Sequence, residues 1–127
     1  MKEIINSPKA PAPIGPYSQA VKSGNTLYVS GQIPINQSTG NLIDTSIEDE
    51  TEQVMKNLGY ILEEAGLTFK HVLKCSIFVS DMGNFTRINE VYGRYFQENP
   101  PARETVEVSG LPKGVNVEIS CIATFQE

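Results

Sequence analysis

The sequence has few of the side chains that most often carry metal or nucleophilic chemistry. It contains one histidine, His71, and two cysteines, Cys75 and Cys121. The cysteines lie far apart in apolar segments without C-x-x-C spacing, which predicts two reduced, packed thiols rather than a disulfide or a metal site. A single histidine without a partner ligand predicts a surface or structural residue at the start of a strand. We therefore expect chemistry that uses neither a metal nor a histidine base.

Positive charge and long apolar runs are also scarce. Ten Lys and Arg residues stand against fifteen Asp and Glu residues, which gives a formal net charge of -5. No basic cluster interrupts this balance, so the phosphate backbone of a nucleic acid would be repelled. No segment reaches the length of a membrane span, and residues 1–17 lack the apolar core of a signal peptide and the pattern of a transit peptide. These features predict a cytoplasmic protein without a membrane or nucleic-acid partner.

The length and the 39% hydrophobic content predict one globular domain over residues 1–127. A proline series keeps the N-terminal segment extended, because proline lacks the N–H that a sheet ladder needs. The apolar period then changes between two and about 3.6 along the chain, which separates strands from helices. The resulting order, ββαβαββ, predicts an α+β sandwich with two helices on one face of one mixed sheet. Strands are expected near 4–6, 19–23, 26–33, 71–81, 103–108 and 115–125, and helices near 46–66 and 84–97.

The sheet face opposite the helices would carry a mixed set of side chains. Such a set is too polar for the core of a monomer and too apolar in places for plain solvent. This composition predicts a subunit interface. The set comprises Tyr28, Ser30, Thr105, Asn116, Ser120 and Ile122.

The stretch NPPARETVEV places a single arginine, Arg103, at the mouth of a predicted strand. If the last two strands form a hairpin, Arg103 falls opposite Glu118 and Thr105 falls opposite Asn116. The Cβ atoms of Arg103 and Glu118 would then lie about 5 to 8 Å apart. One interpretation is a cross-strand salt bridge, worth about 0 to 1 kcal/mol when exposed. In the other, the guanidinium grips a substrate carboxylate through two parallel hydrogen bonds and the glutamate moves a proton to or from water.

Four motifs stand in order along the chain, namely IGPYSQAV, YVSGQIP, PPAR with the strand after it, and VEISCIA. Together they resemble the Rid family, also called YjgF-like proteins, and in particular its RidA branch of imine deaminases, over Ala10 to Phe125. The resemblance implies a chorismate-mutase-like α+β fold assembled as a homotrimer. The sheets would form a central barrel with the helices outside and an active cleft at each subunit boundary.

The resemblance also implies an activity that needs no cofactor. The expected reaction is hydrolysis of imines derived from 2-aminoacrylate and 2-aminocrotonate to 2-oxo acids and ammonia. Hydration of the C=N bond would give a carbinolamine, which then loses ammonia. Carried over by position, Arg103 is expected to bind the substrate carboxylate and Glu118 to position the attacking water and relay protons. The positions expected to line the cleft are Tyr17, Ser30, Gly31, Asn89 and Thr105.

Two positions depart from the family pattern. Thr105 replaces the cysteine of archetypal members, which leaves a backbone contact to substrate but excludes cysteine-based modification at this position. Glu104 stands where a small residue is more usual, and by alternation it should point away from Arg103. Neither departure removes the Arg103 and Glu118 pair.

Alternatives remain open at the level of residues and of function. From the pattern alone, Tyr17 could pack the N-terminal loop against the core, and Ser30-Gly31 could mark a bulge or close strand packing. Asn89 could be plain helix surface. The chain could also be a non-catalytic metabolite-binding regulatory trimer, against which the presence of Arg103 argues. An endoribonuclease or translation inhibitor is a third candidate, and the acidic balance argues against it.

Overall fold

The computed structural model describes residues 1–126; the last residue of the predicted domain, Glu127, lies outside them. One six-stranded mixed sheet carries both helices on the same face, so the predicted α+β class is confirmed. The sheet order is β1-β2-β3-β8-β6-β7, with β6 parallel to β7 and the other neighbours antiparallel. The elements in chain order are β1 (Glu3–Ile5), β2 (Ala20–Ser23), β3 (Thr26–Gln32), β4 (Ile35–Asn36), β5 (Asn41–Leu42), α1 (Ile47–Glu64), β6 (Val72–Val79), α2 (Phe85–Gly93), β7 (Ala102–Glu107) and β8 (Val117–Thr124).

Local signals place the ends of α1 where the sequence predicts them. The Ser46 hydroxyl caps the first turn by accepting the Asp49 N–H at 3.0 Å. Gly66 follows the helix with a φ of 80°, a left-handed conformation that glycine adopts without a Cβ clash. The second helix is shorter than predicted, because residues 94–96 continue as tight turns in which each N–H bonds three residues back.

The predicted hairpin between the last two strands is wrong. Strand β8 lies between β3 and β6, so neither of its edges is open to β7. Instead α2 serves as the crossover of a β-α-β unit and brings β7 parallel to the outer edge of β6. The loop from β7 then returns to the sheet centre, where the buried Glu50 carboxylate accepts hydrogen bonds from the Asn116 backbone at 3.2 Å and side chain at 2.9 Å. Asn116 is therefore bound to α1 and does not pair with Thr105.

A buried glutamine orders the N-terminal proline-rich segment. The Gln19 side chain is 3% exposed, and its Oε1 accepts the Ser7 N–H at 2.6 Å. Its Nε2 donates to the carbonyls of Ser7 at 3.1 Å and Pro11 at 3.0 Å. These bonds satisfy backbone groups that no strand partner can reach, so the segment forms an ordered loop over the edge of the sheet.

The sheet face away from the helices is largely uncovered within one chain. Tyr28 is 51% exposed and Val106 is 43% exposed, while Ser120 and Ile122 are half-buried. Thr105, predicted on this face, instead pairs with the buried Ile77 and so lies on the helix side. No helix within residues 1–126 is long and apolar enough to cross a membrane.

Candidate active site

The two side chains expected to act together lie on opposite faces of the sheet. Arg103 is in register with Cys75, whose side chain is buried under the helices. Glu118 is in register with Phe78, on the uncovered face. Paired residues of neighbouring strands project to the same side, so the predicted pairing of Arg103 with Glu118 is wrong within one chain. Arg103 and Glu118 therefore belong to two separate clusters of side chains.

In the first cluster, Arg103 of β7 packs against one face of α2. Its Nη1 donates to Asn89 Oδ1 at 2.5 Å. Its Cζ lies 5.5 Å from the Phe85 ring centroid and 5.0 Å from that of Tyr92. The three residues that contact the guanidinium, Phe85, Asn89 and Tyr92, are spaced i, i+4 and i+7 and therefore lie on one face of the helix. The stripe orients the guanidinium by a hydrogen bond and two cation–π contacts, so Asn89 is more than plain helix surface.

The guanidinium keeps hydrogen-bonding capacity for a ligand. Within residues 1–126 Arg103 forms no ion pair, and its one side-chain hydrogen bond occupies Nη1. The Nε and Nη2 edge can therefore form two parallel bonds with a planar carboxylate. Sequence reasoning missed Phe85 and Tyr92 as partners of Arg103, although their spacing with Asn89 was visible.

Neighbouring positions on β7 behave differently from each other. Thr105 Oγ1 is buried on the helix side and has no hydrogen-bond partner within the described part of the chain. Glu104 points to the opposite face, as alternation predicts, and forms an ion pair with Lys74 at 3.2 Å. It also accepts a hydrogen bond from Ser76, and these two contacts hold the pKa of Glu104 below its usual range. Glu104 is thus engaged away from Arg103.

In the second cluster, Glu118 lines a cavity of about 300 Å³. The carboxyl group is half-buried, and this loss of solvent raises its pKa above the ordinary value. No described residue forms a hydrogen bond to the carboxylate, so nothing in residues 1–126 offsets the desolvation. A carboxylate in this state can take up and return a proton more readily near neutral pH than an exposed one. The cavity is lined by Ile14, Tyr17, Ser30, Gly31, Ile33, Pro112 and Glu118.

Gly31 allows the carboxylate to lie directly against the backbone of β3. A Cβ at this position would come 2.1 Å from Glu118 Oε2 and 2.8 Å from Cδ. The β3–β8 register shifts between Val29 and Gln32, which places Ser30 and Gly31 at a bulge. Both structural interpretations of Ser30-Gly31, a bulge and close packing, are confirmed. Strict alternation along β3 predicts that Gln32 shares the face of Tyr28. This prediction is wrong, because the bulge turns Gln32 into the core, where it is 5% exposed.

Polar groups at the rim of the cavity are fixed by the ordered N-terminal loop. The Ser30 hydroxyl donates to the Ser18 carbonyl at 2.6 Å, which leaves its lone pairs available as acceptors. The Tyr17 hydroxyl accepts the Ile14 N–H at 3.3 Å, and its ring, 48% exposed, lines the cavity. Tyr17 therefore supports the loop and shapes the cavity at once.

The histidine and the cysteines do not line the Glu118 cavity. His71 Nδ1 accepts the Thr68 N–H at 3.1 Å and closes the turn before β6, the structural role predicted for it. Cys75 and Cys121 are buried free cysteines. Within the described residues, no group of three His, Cys, Asp or Glu side chains is placed to hold a metal ion.

Comparison with known proteins agrees with this arrangement of elements. Residues 7–125 match the family described as endoribonuclease L-PSP. A RutC family protein of Pyrococcus horikoshii is 51% identical over 97% of this chain and 98% of its own. The 2-iminobutanoate/2-iminopropanoate deaminase of Mus musculus is 45% identical over 97% of this chain and 91% of its own. The crystal structure of a putative endoribonuclease from Thermotoga maritima superposes with a TM-score of 0.97 at 49% identity, covering 100% of both chains. This chain therefore belongs to the endoribonuclease L-PSP family, which is the YjgF-like or Rid family that its motifs resemble.

Proposed function

We propose that the protein is an imine deaminase that hydrolyses 2-imino acids derived from 2-aminoacrylate and 2-aminocrotonate to 2-oxo acids and ammonia. The observation that carries the proposal is the half-buried Glu118 carboxyl group, which faces a cavity without any hydrogen-bond partner among the described residues. A carboxylate-binding Arg103 held by an aromatic and amide stripe supplies the second requirement. Relatives with deaminase names add support, the mouse protein among them.

The active unit we propose is a homotrimer. Arg103 and Glu118 project from opposite faces of the sheet, so one chain cannot present both to one small substrate. A second copy packed against the uncovered face can bring its own Arg103 to the first copy's Glu118 cavity. Packing would bury exposed apolar side chains of that face, such as Tyr28 and Val106. The cleft then forms at a subunit boundary, as the family resemblance implies.

Each residue then has a defined step in the reaction. Arg103 holds the substrate carboxylate through two parallel hydrogen bonds, which orients the adjacent C=N carbon toward Glu118. Glu118, as the carboxylate, takes a proton from water while the water oxygen bonds to the carbon of the protonated imine and the C=N π electrons move to nitrogen, which gives the carbinolamine. The protonated Glu118 next donates to the nitrogen, and the C–N bond breaks. Ammonia leaves, the hydroxyl proton is lost, and the 2-oxo acid remains.

Ser30, Tyr17 and the aliphatic wall have supporting roles in this proposal. The free lone pairs of Ser30 can accept a hydrogen bond from the attacking water or the departing amine. Tyr17 and Ile14 border the cavity and limit the bulk water that reaches it. The half-buried environment keeps the pKa of Glu118 raised, which makes its carboxylate a stronger base for the proton of the attacking water.

The test couples a threonine dehydratase to this protein and traps residual imine with semicarbazide. Wild type should reduce the semicarbazone and speed 2-oxo acid formation, whereas Arg103→Ala and Glu118→Gln should not. Arg94→Ala, a matched change of an exposed arginine just beyond α2, should behave as wild type. If wild type leaves the semicarbazone yield unchanged for imines from both serine and threonine, the cavity is a metabolite-binding site and the deaminase proposal fails.

A further inference from the structure

The two cysteines, far apart in sequence, are direct neighbours across the central strands. Cys75 on β6 is paired with Cys121 on the antiparallel strand β8. Both side chains point into the core, where Cys75 is 1% exposed and Cys121 is 4% exposed. The packed, reduced state expected from the sequence is thus compatible with the structure. Their direct opposition is what the sequence could not show.

The hydrogen-bond pattern of the ladder determines how close the two thiols lie. At the end of the same ladder, Ser80 donates its N–H to the Asn116 carbonyl at 3.2 Å, which marks a hydrogen-bonded pair. Hydrogen-bonded and non-hydrogen-bonded pairs alternate along an antiparallel ladder, and the register between these positions is continuous. Cys75 and Cys121 lie an odd number of steps away and form a non-hydrogen-bonded pair.

Non-hydrogen-bonded pairs are the ones in which side chains approach most closely. Their Cα atoms lie about 4.5 Å apart, within the range of about 4.4 to 6.8 Å found across disulfides. The two strands therefore place the Cα atoms within the range that a disulfide spans, without movement of the backbone. We propose that Cys75 and Cys121 form a dithiol–disulfide site, which closes to a cross-strand disulfide in the presence of a peroxide.

The chemistry consumes one peroxide and leaves no unpaired group. One thiolate attacks a peroxide oxygen, the O–O bond breaks, and a sulfenic acid and one water result. The second thiol attacks the sulfenic sulfur, which forms the S–S bond and releases a second water. The two sulfurs together lose two electrons to the peroxide. A dithiol reductant reverses the change by exchange.

Burial makes this site slow to respond. Loss of solvent raises the pKa of both thiols, and the neighbouring Cys75 raises the pKa of Cys121 further. The reactive thiolate is therefore rare at neutral pH, and the peroxide must reach a closed core. The disulfide is expected to form during prolonged exposure to peroxide rather than brief exposure. Alkaline pH should speed its formation. It lies one strand from Arg103 and does not depend on the proposed deaminase activity.

The test uses the full chain, reduced and then incubated with hydrogen peroxide. Intact mass under denaturing, thiol-trapping conditions should fall by the mass of two hydrogens relative to untrapped reduced protein, and a non-reducing peptide map should join Cys75 to Cys121. Closure should raise the Tm, because the bond restricts the unfolded chain, and dithiothreitol should reverse both changes. Cys121→Ala, in which the small side chain avoids a buried polar group, should show neither change.

Three results would overturn the proposal. The first is retention of two trappable thiols after long exposure at raised temperature. The second is addition of oxygen to either cysteine, or a bond between chains, without an internal bridge. The third is a bridge that lowers the Tm, since a preformed pair should close without straining the sheet.

Discussion

Replacement of Gly31 by alanine should separate the position of the Glu118 carboxylate from its presence. The new Cβ would meet Glu118 Oε2 at 2.1 Å, Cδ at 2.8 Å and Cγ at 3.0 Å. Ordinary contacts begin near 3.4 Å, so the carboxylate must withdraw by about 1 Å. The atoms that clash belong to the end of a flexible side chain, and the backbone of Gly31 has no positive φ. Alanine should therefore be accepted by the fold.

The expected magnitude follows from the displacement. A misplacement of about 1 Å at a reacting group can cost about 100-fold in rate, or about 2.7 kcal/mol of transition-state free energy. Complete loss of an acid–base group costs about 100-fold to 10,000-fold, so Gly31→Ala should lie at the mild end of Glu118→Gln. The free energy of unfolding should change little, because lower entropy of the unfolded chain offsets the side-chain movement by about 0.4 to 1 kcal/mol.

The assay is kcat/KM in the dehydratase-coupled reaction, with urea unfolding of the same preparations. Gly93→Ala is the matched control, because a Cβ at this exposed position of α2 meets nothing within 4 Å. The double variant of Gly31→Ala with Glu118→Gln should be no slower than Glu118→Gln alone, since both changes act through one carboxyl group. A folded Gly31→Ala protein with wild-type kcat would refute the placement of Glu118 at the reacting carbon.

Two further predictions concern the arginine stripe and the titration of Glu118. Phe85→Leu should raise KM about 2-fold to 30-fold with little effect on kcat, from loss of about 0.5 to 2 kcal/mol of cation–π contact, whereas Tyr92→Phe keeps the ring and should leave KM unchanged. Equal KM for both variants would show that the rings do not orient Arg103. The pKa of Glu118 is raised in the folded state. Ionisation of Glu118 therefore lowers the free energy of unfolding once the pH exceeds the pKa that this residue has in the unfolded chain, and it has no effect at lower pH. Thermal unfolding should accordingly show Glu118→Gln more stable than wild type at neutral pH and equal to it in strong acid; a difference that is independent of pH would contradict the raised pKa.

Much of the local structure could be predicted because short-range chemistry decides it. Ser46 and Gly66 mark the ends of α1 through a cap and a left-handed residue, and the strands follow from alternating side chains. His71 was also placed correctly, at the turn before β6. The prediction failed at Gln32, because a bulge changes the alternation without any break in the apolar pattern.

The members of the candidate site stay a prediction, and the predicted geometry between two of them is wrong. Motif resemblance identified Arg103 and Glu118, and the alternating strand correctly turned Glu104 away from Arg103. Their assumed meeting across a hairpin was wrong, since turn-rich residues between two strands are equally compatible with a return to the sheet centre. The partners Phe85 and Tyr92 were missed because helical period alone does not distinguish packing against a sheet from packing against an arginine.

The sequence by itself determined the elements, their order, the family and the residue types available for chemistry. Those properties depend on residues that are close along the chain, or on short motifs that can be recognised in the sequence. Tertiary structure alone decided which strands are neighbours, and with it the opposite faces of Arg103 and Glu118 and the opposition of Cys75 and Cys121. Strand pairing is set by the α2 crossover and by burial of the whole sheet, which are long-range contacts that no local pattern encodes.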